Sequence, residues 1–317
     1  MPDLFETKNL KPMLIAENVE PFDSPDWIYE LKWDGERCIA YLDPQEKTTA
    51  LRNKRNVKML PKVPELSELH RQVRKPCILD GELMCLVDGK PNFSAIQRRS
   101  LMSNGFKIEL ESQKHPATFI TFDILSLDGK DLTMRPLMER KKLLQKTVRE
   151  NERIAVSRYF EGTGIALFAL AKQQGLEGVV GKRKDSVYIQ GKRTKDWKKI
   201  KNLLDDDFVV CGYIRKKNRM TSIVLGQYDK AGVLRYKGHV TLGVSSKPFQ
   251  RILEQTRAIH PALEVPLGHG NEDAVWLAPT LVCTVEFMER TKTGGMRQPV
   301  FKGLREDKEA EECLEPE

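Results

Sequence analysis

Apolar residues along this chain fall into short runs of strand length rather than long helical stripes. The runs WIYELKW, RCIAYL, CILDGELMCLV and ATFITFDILSL lie between residues 27 and 127, the last two running into DGKP and DGKD. Runs of this kind, bounded by turn residues, predict antiparallel strands and hairpins. Helical spacing occurs in RPLMERKKLLQKTVRE, through Leu137, Leu143, Leu144 and Val148, and in GIALFALAKQQ, which Gly175 would cap. The first part of the chain therefore predicts an α+β domain. After WKKIKNLL the pattern breaks at Asp205-Asp206-Asp207, and DFVVCGYI, TSIVLGQYD and GVLRYKGHVTLG read as a new strand series. One helix, SKPFQRILEQTRAI, and a further strand, PTLVCTVEFME, complete it. Five or so short strands with one helix predict a small Greek-key barrel of the oligonucleotide-binding (OB) type. The expected division is residues 1–204 and 205–317, with the acidic end EDKEAEECLEPE as a solvated tail and Asp205 to Asp207 as the hinge.

Composition adds bounds. A chain of 317 residues, 40% hydrophobic and 31% charged, can build two domains with real cores. No apolar run approaches the roughly 20 residues that span a bilayer, and MPDLFETKNLKPML lacks the pattern of a secretory signal. The expectation is a cytoplasmic protein, monomeric and without a membrane partner. Six cysteines include no Cys-x-x-Cys pair and five histidines show no metal-ligand spacing, so the thiols read as reduced and any metal chemistry must use carboxylates and a hard ion. Net charge is +8, and Lys182 to Arg219 alone holds 13 Lys/Arg against 5 Asp/Glu. Such a stretch is either a solvated face or a surface for a polyanion.

The candidate chemistry starts at residues 29–38, YELKWDGERC, where Lys32 stands two places before Asp-Gly. A lysine can be an exposed strand residue, a salt-bridge partner or a nucleophile; the last requires cations or desolvation to release its proton. WKKIK at 197–201 would turn Lys199 and Lys201 to one face, and EGVVGK sets Glu177 and Lys182 at the ends of an apolar run. LDGEL sets Glu82 after what reads as a second Asp-Gly turn. A lysine, carboxylates able to hold Mg²⁺, and further lysines for phosphates suit nucleotidyl transfer.

In order and rough spacing, KWDGER, LRN, LDGEL, FDIL, EGVVGK, WKKIK and RQPVFKGLREDK resemble the signature of the covalent nucleotidyltransferases: ATP-dependent DNA ligases, RNA ligases and mRNA capping enzymes. Within that group the chain is similar to the ligase domain of bacterial ligase D, over about residues 28–308. The resemblance implies a nucleotidyltransferase (adenylation) domain followed by an OB barrel, with Lys32 as the adenylated nucleophile and Glu30 accepting from the adenine amino group. Arg37 and Arg52 would contact the nucleotide and the 5′-phosphate end, with Arg55 as the alternative to Arg52 because LRNKRN departs from the usual Ser-Arg-x-Gly. Glu82 would bind ribose and, with Glu177, the metal; Phe122 would stack on the base. Lys182, Lys199 and Lys201 would hold phosphates, and Arg305, Asp307 and Lys308 would help expel pyrophosphate. Asp34 would act at the nick, and Arg215, Lys216 and Lys217 would clamp DNA.

The implied cofactors are ATP and Mg²⁺, with Mn²⁺ as a substitute. The implied partners are nicked or broken duplex DNA, and Ku-type end-joining proteins or separate polymerase and nuclease subunits. Glu30 and the RxDK motif favour a DNA ligase over a capping enzyme or an RNA ligase. The lack of a Cys₄ module disfavours an NAD-dependent ligase. A non-catalytic nucleic-acid-binding module is the remaining alternative.

Overall fold

A computed structural model describes residues 4–316 apart from 88–89, 217–219, 244–245, 269, 292–293 and 306. The chain divides into two compact units, Met1–Asn202 and Leu203–Glu317.

The first unit is built on two sheets. One runs Leu14–Asn18, Arg193–Lys201, Gly178–Arg183, Trp27–Leu31, Tyr159–Glu161. The other runs Thr48–Asn53, Glu36–Asp43, Cys77–Val87, Ala117–Leu127, Lys130–Asp131, with Ile154–Val156 added parallel to Ala117–Leu127. Strands of the second sheet are covered on both faces, which is why they read as unbroken apolar runs. Along Glu36–Asp43, Cys38, Ala40 and Leu42 enter one core while Ile39 and Tyr41 enter another with Met13, Phe122 and Trp197. That second core joins the two sheets, and its polar rim is the cleft described below. On the outer face of the first sheet, Tyr29, Val179 and Ile200 pack under Leu167 and Ala171 of the helix Gly164–Gln173.

Two glycines correct the turn reading. Asp80-Gly81 is no turn: both residues lie inside the 11-residue strand Cys77–Val87, at a register shift against Ala117–Leu127. Gly81 is there for close approach, since a Cβ would come within 2.5 Å of the Ile120 carbonyl and 2.6 Å of the Phe119 ring. Gly35 likewise allows the loop after Lys32 to meet the Leu83 carbonyl, which a Cβ would approach to 2.2 Å.

The helices Leu137–Thr147 and Gly164–Gln173 form where the spacing predicts them, with Gly175 at φ +65 ending the second. Two further helices, Phe93–Leu101 and Gly105–Lys114, were not evident from spacing. Each is started by an asparagine, Asn92 or Asn104, whose side chain accepts from a first-turn N–H.

The second unit is a five-stranded sheet ordered Leu234–Gly243, Met220–Tyr228, Leu204–Arg215, Val275–Phe287, Val300–Arg305, its outer strands approaching each other. Phe208, Tyr213, Ile223, Leu225, Val285 and Phe287 fill its interior with Phe249 and Ile252 of the helix Lys247–Leu253. Asp205 to Asp207 are no hinge. They lie in the strand Leu204–Arg215, opposite Glu286, Val285 and Thr284, and only Asn202 and Leu203 separate that strand from Arg193–Lys201. The acidic end is not a free tail either. Ala310 and Cys313 are buried against the barrel, the Tyr228 N–H donates to the Cys313 carbonyl, and Lys237 pairs with Glu315 at 2.5 Å. The apolar pair interleaved among the acids supplies the anchor. All six cysteines are buried and unbridged, and burial raises every one of their thiols. Among the described residues no helix is long and apolar enough to cross a membrane.

Candidate active site

The cleft is organised by the register of three neighbouring strands. Gly178 pairs with Lys201, Val180 with Lys199 and Lys182 with Trp197; on its other edge Val180 pairs with Glu30 and Lys182 with Ile28. The Lys32 N–H donates to the Gly178 carbonyl at 2.9 Å. Alternation turns these side chains to one face and stacks them in levels. Lys32 and Lys201 form the first level, Glu30 and Lys199 the second, Lys182 and Trp197 the third. Lys198, between them in sequence, turns to the opposite face, over the Phe22 and Trp27 rings. The cleft is lined by Glu30, Lys32, Trp33, Arg37, Glu82, Phe122, Lys182 and Trp197.

At the first level the Lys32 amine lies 2.6 Å from Glu177 Oε1. Burial raises the Glu177 carboxyl, Lys32 opposes the rise, and the charge of Asp34 adds to it. A carboxylate this close to the amine is within proton-transfer distance. Lys199 is lowered by burial and then by the charges of Lys201, Lys32 and Arg193, and Lys32, Lys199 and Lys201 form a cluster of cations at this end. Such a cluster attracts a polyanion.

At the opposite end Lys182 is closed in. Its amine lies 4.3 Å from the Phe122 ring centre, 4.2 Å from the Trp197 ring centre and 3.1 Å from Glu30 Oε1. Burial lowers its pKa to about 8, with Glu30 opposing. Of the three lysines expected at phosphates, Lys199 and Lys201 lie on the Lys32 side of the cleft; Lys182 sits two levels away, beside the carboxylate expected to read the base. Phe122 is buried in the core, in contact with Lys182 and with the Arg37 guanidinium at 4.6 Å.

Arg37 is held by Asp80, Nε to Oδ1 and Nη2 to Oδ2 both at 2.6 Å. The Tyr188 hydroxyl donates to the same Asp80 at 2.7 Å and accepts from the Met13 N–H at 2.9 Å. Asp80 and Tyr188 escaped sequence reading, the first because Asp-Gly suggested a turn, the second because nothing local marks it.

The remaining residues are dispersed. Arg52 pairs with Ile39 on the strand next to the one that carries Arg37, outside the cleft lining, its Nε buried without a hydrogen-bond partner. Arg55 lines a separate hollow with Gly35, Glu36, Arg37 and Phe93. Arg305 and Lys308 belong to the barrel unit, where both reach Asp207 Oδ2, at 3.2 and 2.9 Å, and Arg305 also forks onto Asp307 at 2.7 Å. Burial pushes the Asp207 carboxyl up, but the bonds from Thr284 and Lys308 and the neighbouring charges hold it below its usual range. Arg215 and Lys216 are exposed at the end of their strand, and Lys217 lies outside the described residues.

Residues 9–201 match the family model of the ATP dependent DNA ligase domain, and residues 216–308 match that of the ATP dependent DNA ligase C terminal region. The chain belongs to the ATP-dependent DNA ligase family. It is 32% identical over 311 residues to the multifunctional non-homologous end joining protein LigD of Pseudomonas aeruginosa, covering 94% of this chain and 36% of that protein. The matching share of the Mycobacterium tuberculosis LigD is 40%, at 30% identity, so the chain spans well under half the length of these relatives. It is 29% identical to the SPbeta prophage-derived DNA ligase-like protein LigB of Bacillus subtilis, covering 93% of this chain and 99% of that one. Among solved structures, mycobacterial DNA ligase D complexed with ATP and MES matches with a TM-score of 0.57 and 28% identity, over 97% of this chain and 99% of that one.

For this ligase-family cleft, Glu82 yields a test by pH. Burial raises its carboxyl from 4.5 to about 8, Arg37 and Lys32 opposing, Glu177 and Asp80 adding. Between those values the unfolded chain is ionised while the native chain keeps the proton, so stability falls as pH rises through the window. Urea unfolding of the metal-free protein is expected to show Glu82→Gln gaining on the wild type between pH 5 and pH 8. An equal difference at both pH values would mean that Glu82 is not held protonated.

Proposed function

We propose that the chain seals 5′-phosphate/3′-hydroxyl breaks in duplex DNA with ATP. The single observation that carries this reading is the Lys32 amine at the mouth of the cleft, paired with Glu177 and flanked by Lys201 and Lys199. Lys32 Nζ forms a bond to the α-phosphorus, the bond to the bridging oxygen breaks, and pyrophosphate leaves; Glu177 takes the amine proton. The DNA 5′-phosphate oxygen then attacks the AMP phosphorus and the P–N bond breaks, returning a proton to Lys32. Attack of the 3′-hydroxyl on the activated 5′-phosphorus releases AMP and closes the strand. Lys199 and Lys201 bind the phosphates, while Arg37, fixed by Asp80 and Tyr188, orients the sugar side of the nucleotide.

The residues fit Mg²⁺ or Mn²⁺. Glu177 and Glu82 offer hard oxygen donors in the cleft, and such ions bind through one or two carboxylates plus substrate phosphates. No group of three His, Cys, Asp or Glu able to cage an ion occurs among the described residues. The ion would neutralise charge on the phosphates. The match of both family models favours DNA over RNA ends or cap formation. The LigD relatives are named for non-homologous end joining, which supports an end-joining setting; Ku-type proteins or separate polymerase and nuclease subunits as partners, and a bacterial cytoplasm, are part of the same proposal and rest on the resemblance alone. Incubation with ATP and Mg²⁺ should add the mass of one AMP to the protein, and the product should seal a nicked duplex in a salt-sensitive manner. A chain that binds DNA and gains no AMP would be a binding module instead.

A further inference from the structure

The helix Leu137–Thr147 buries two consecutive cations. Arg140 is matched: its guanidinium forks onto Asp123 at 2.8 and 2.9 Å and also donates to the Ser186 carbonyl. Lys141 is different. Its fully buried amine lies 2.5 Å from Glu30 Oε1, an oxygen that Lys182 already approaches at 3.1 Å. Neutralising one buried carboxylate takes one cation, and a second buried ammonium is unfavourable unless it does further work. The two ammoniums thus share the one oxygen, Oε1. Glu30 and Lys182 line the cleft whereas Lys141 does not.

We propose that Lys141 is a positioning residue for nucleobase recognition. By holding Oε1 from outside the cleft it fixes the orientation of the Glu30 carboxylate and leaves Oε2 for the base. It also keeps Lys182 from being consumed as the sole counter-ion of Glu30. The consequence is selection of a base that carries an exocyclic amino donor at that edge. This rests on the ligase reading above, with ATP as the nucleotide.

The test compares self-adenylation by ATP with self-guanylation by GTP and with labelling by purine riboside triphosphate, which lacks the amino group. In the wild type ATP should be preferred. In Lys141→Met the KM for ATP is expected to rise about tenfold while that for the amino-free analogue stays put, collapsing the preference, with kcat little changed. Glu30→Ala, which removes the acceptor, should lose the same preference, and adding Lys141→Met to it should cost nothing more. Unchanged preference in Lys141→Met, or an equal loss for both nucleotides, overturns the proposal. Should the Met variant not fold, Lys141→Gln takes its place with the same expectation, and failure of both to fold marks Lys141 as purely structural and also overturns it. A wild type that ATP does not label refutes the ligase reading instead.

Discussion

Lys32→Ala is expected to abolish labelling of the chain by AMP, a fall of about a thousandfold or more, while leaving sealing of a pre-adenylated nick partly intact. The amine stands at the end of the strand Trp27–Leu31, its backbone N–H fixed to Gly178 and its side chain paired with Glu177. Lys199 and Lys201 can hold phosphates but cannot replace it, because their register fixes them on Arg193–Lys201, separated from the Lys32 strand by Gly178–Arg183. Sealing of a pre-adenylated nick bypasses formation of the P–N bond and needs only the surrounding site. Removing the side chain also leaves Glu177 without its cation, so the variant should lose little stability only if that carboxyl takes up a proton. Retained labelling in Lys32→Ala, read by intact mass, would move the nucleophile elsewhere.

The second large effect concerns the barrel unit. A chain ending at Asn202 is expected to keep its fold and lose most of its self-adenylation, by about a hundredfold. Its fold should survive because its cores are made entirely from its own residues, among them Leu79, Phe119, Trp197 and Ile200. Its activity should not, because Arg305 and Lys308, the cations assigned to pyrophosphate expulsion, are carried by the second unit. Arg305→Ala and Lys308→Ala should accordingly impair adenylation more than sealing of a pre-adenylated nick. Both cations rest on Asp207, so Asp207→Asn is the informative control: it frees them without removing them. Adenylation by the shortened chain at the full rate would detach the barrel from the first step.

Much of this was legible before any coordinates, and the failures have physical causes. Short apolar runs bounded by turn residues located the strands, and the order of short motifs brought together Glu30, Lys32, Arg37, Glu82, Phe122 and Lys182, which one cleft collects. Asp80 was misread because Asp-Gly marks a turn in most settings, and only the bulge against Ala117–Leu127 makes it a strand interior. Lys141 was invisible because a lysine in a helix ordinarily faces water, and its partner is over a hundred residues away. Phe93–Leu101 and Gly105–Lys114 carry their start signals in single asparagines rather than in an apolar stripe. The three aspartates broke the composition but not the structure, because Asp205 is exposed at the start of its strand while Arg290 pairs with Asp206, and Thr284, Arg305 and Lys308 reach Asp207, all within the barrel.

The distribution of the thiols makes the chain its own reporter of opening. Cys38, Cys77 and Cys85 lie in the first unit, and Cys211, Cys283 and Cys313 lie in the second. Each is buried and held in the unreactive thiol form, so an alkylating reagent can reach it only when the surrounding structure lets go. Peptide mapping after a timed pulse of reagent would then date the loosening of each half separately, and Cys313 would register the release of the chain end before the barrel itself gives way.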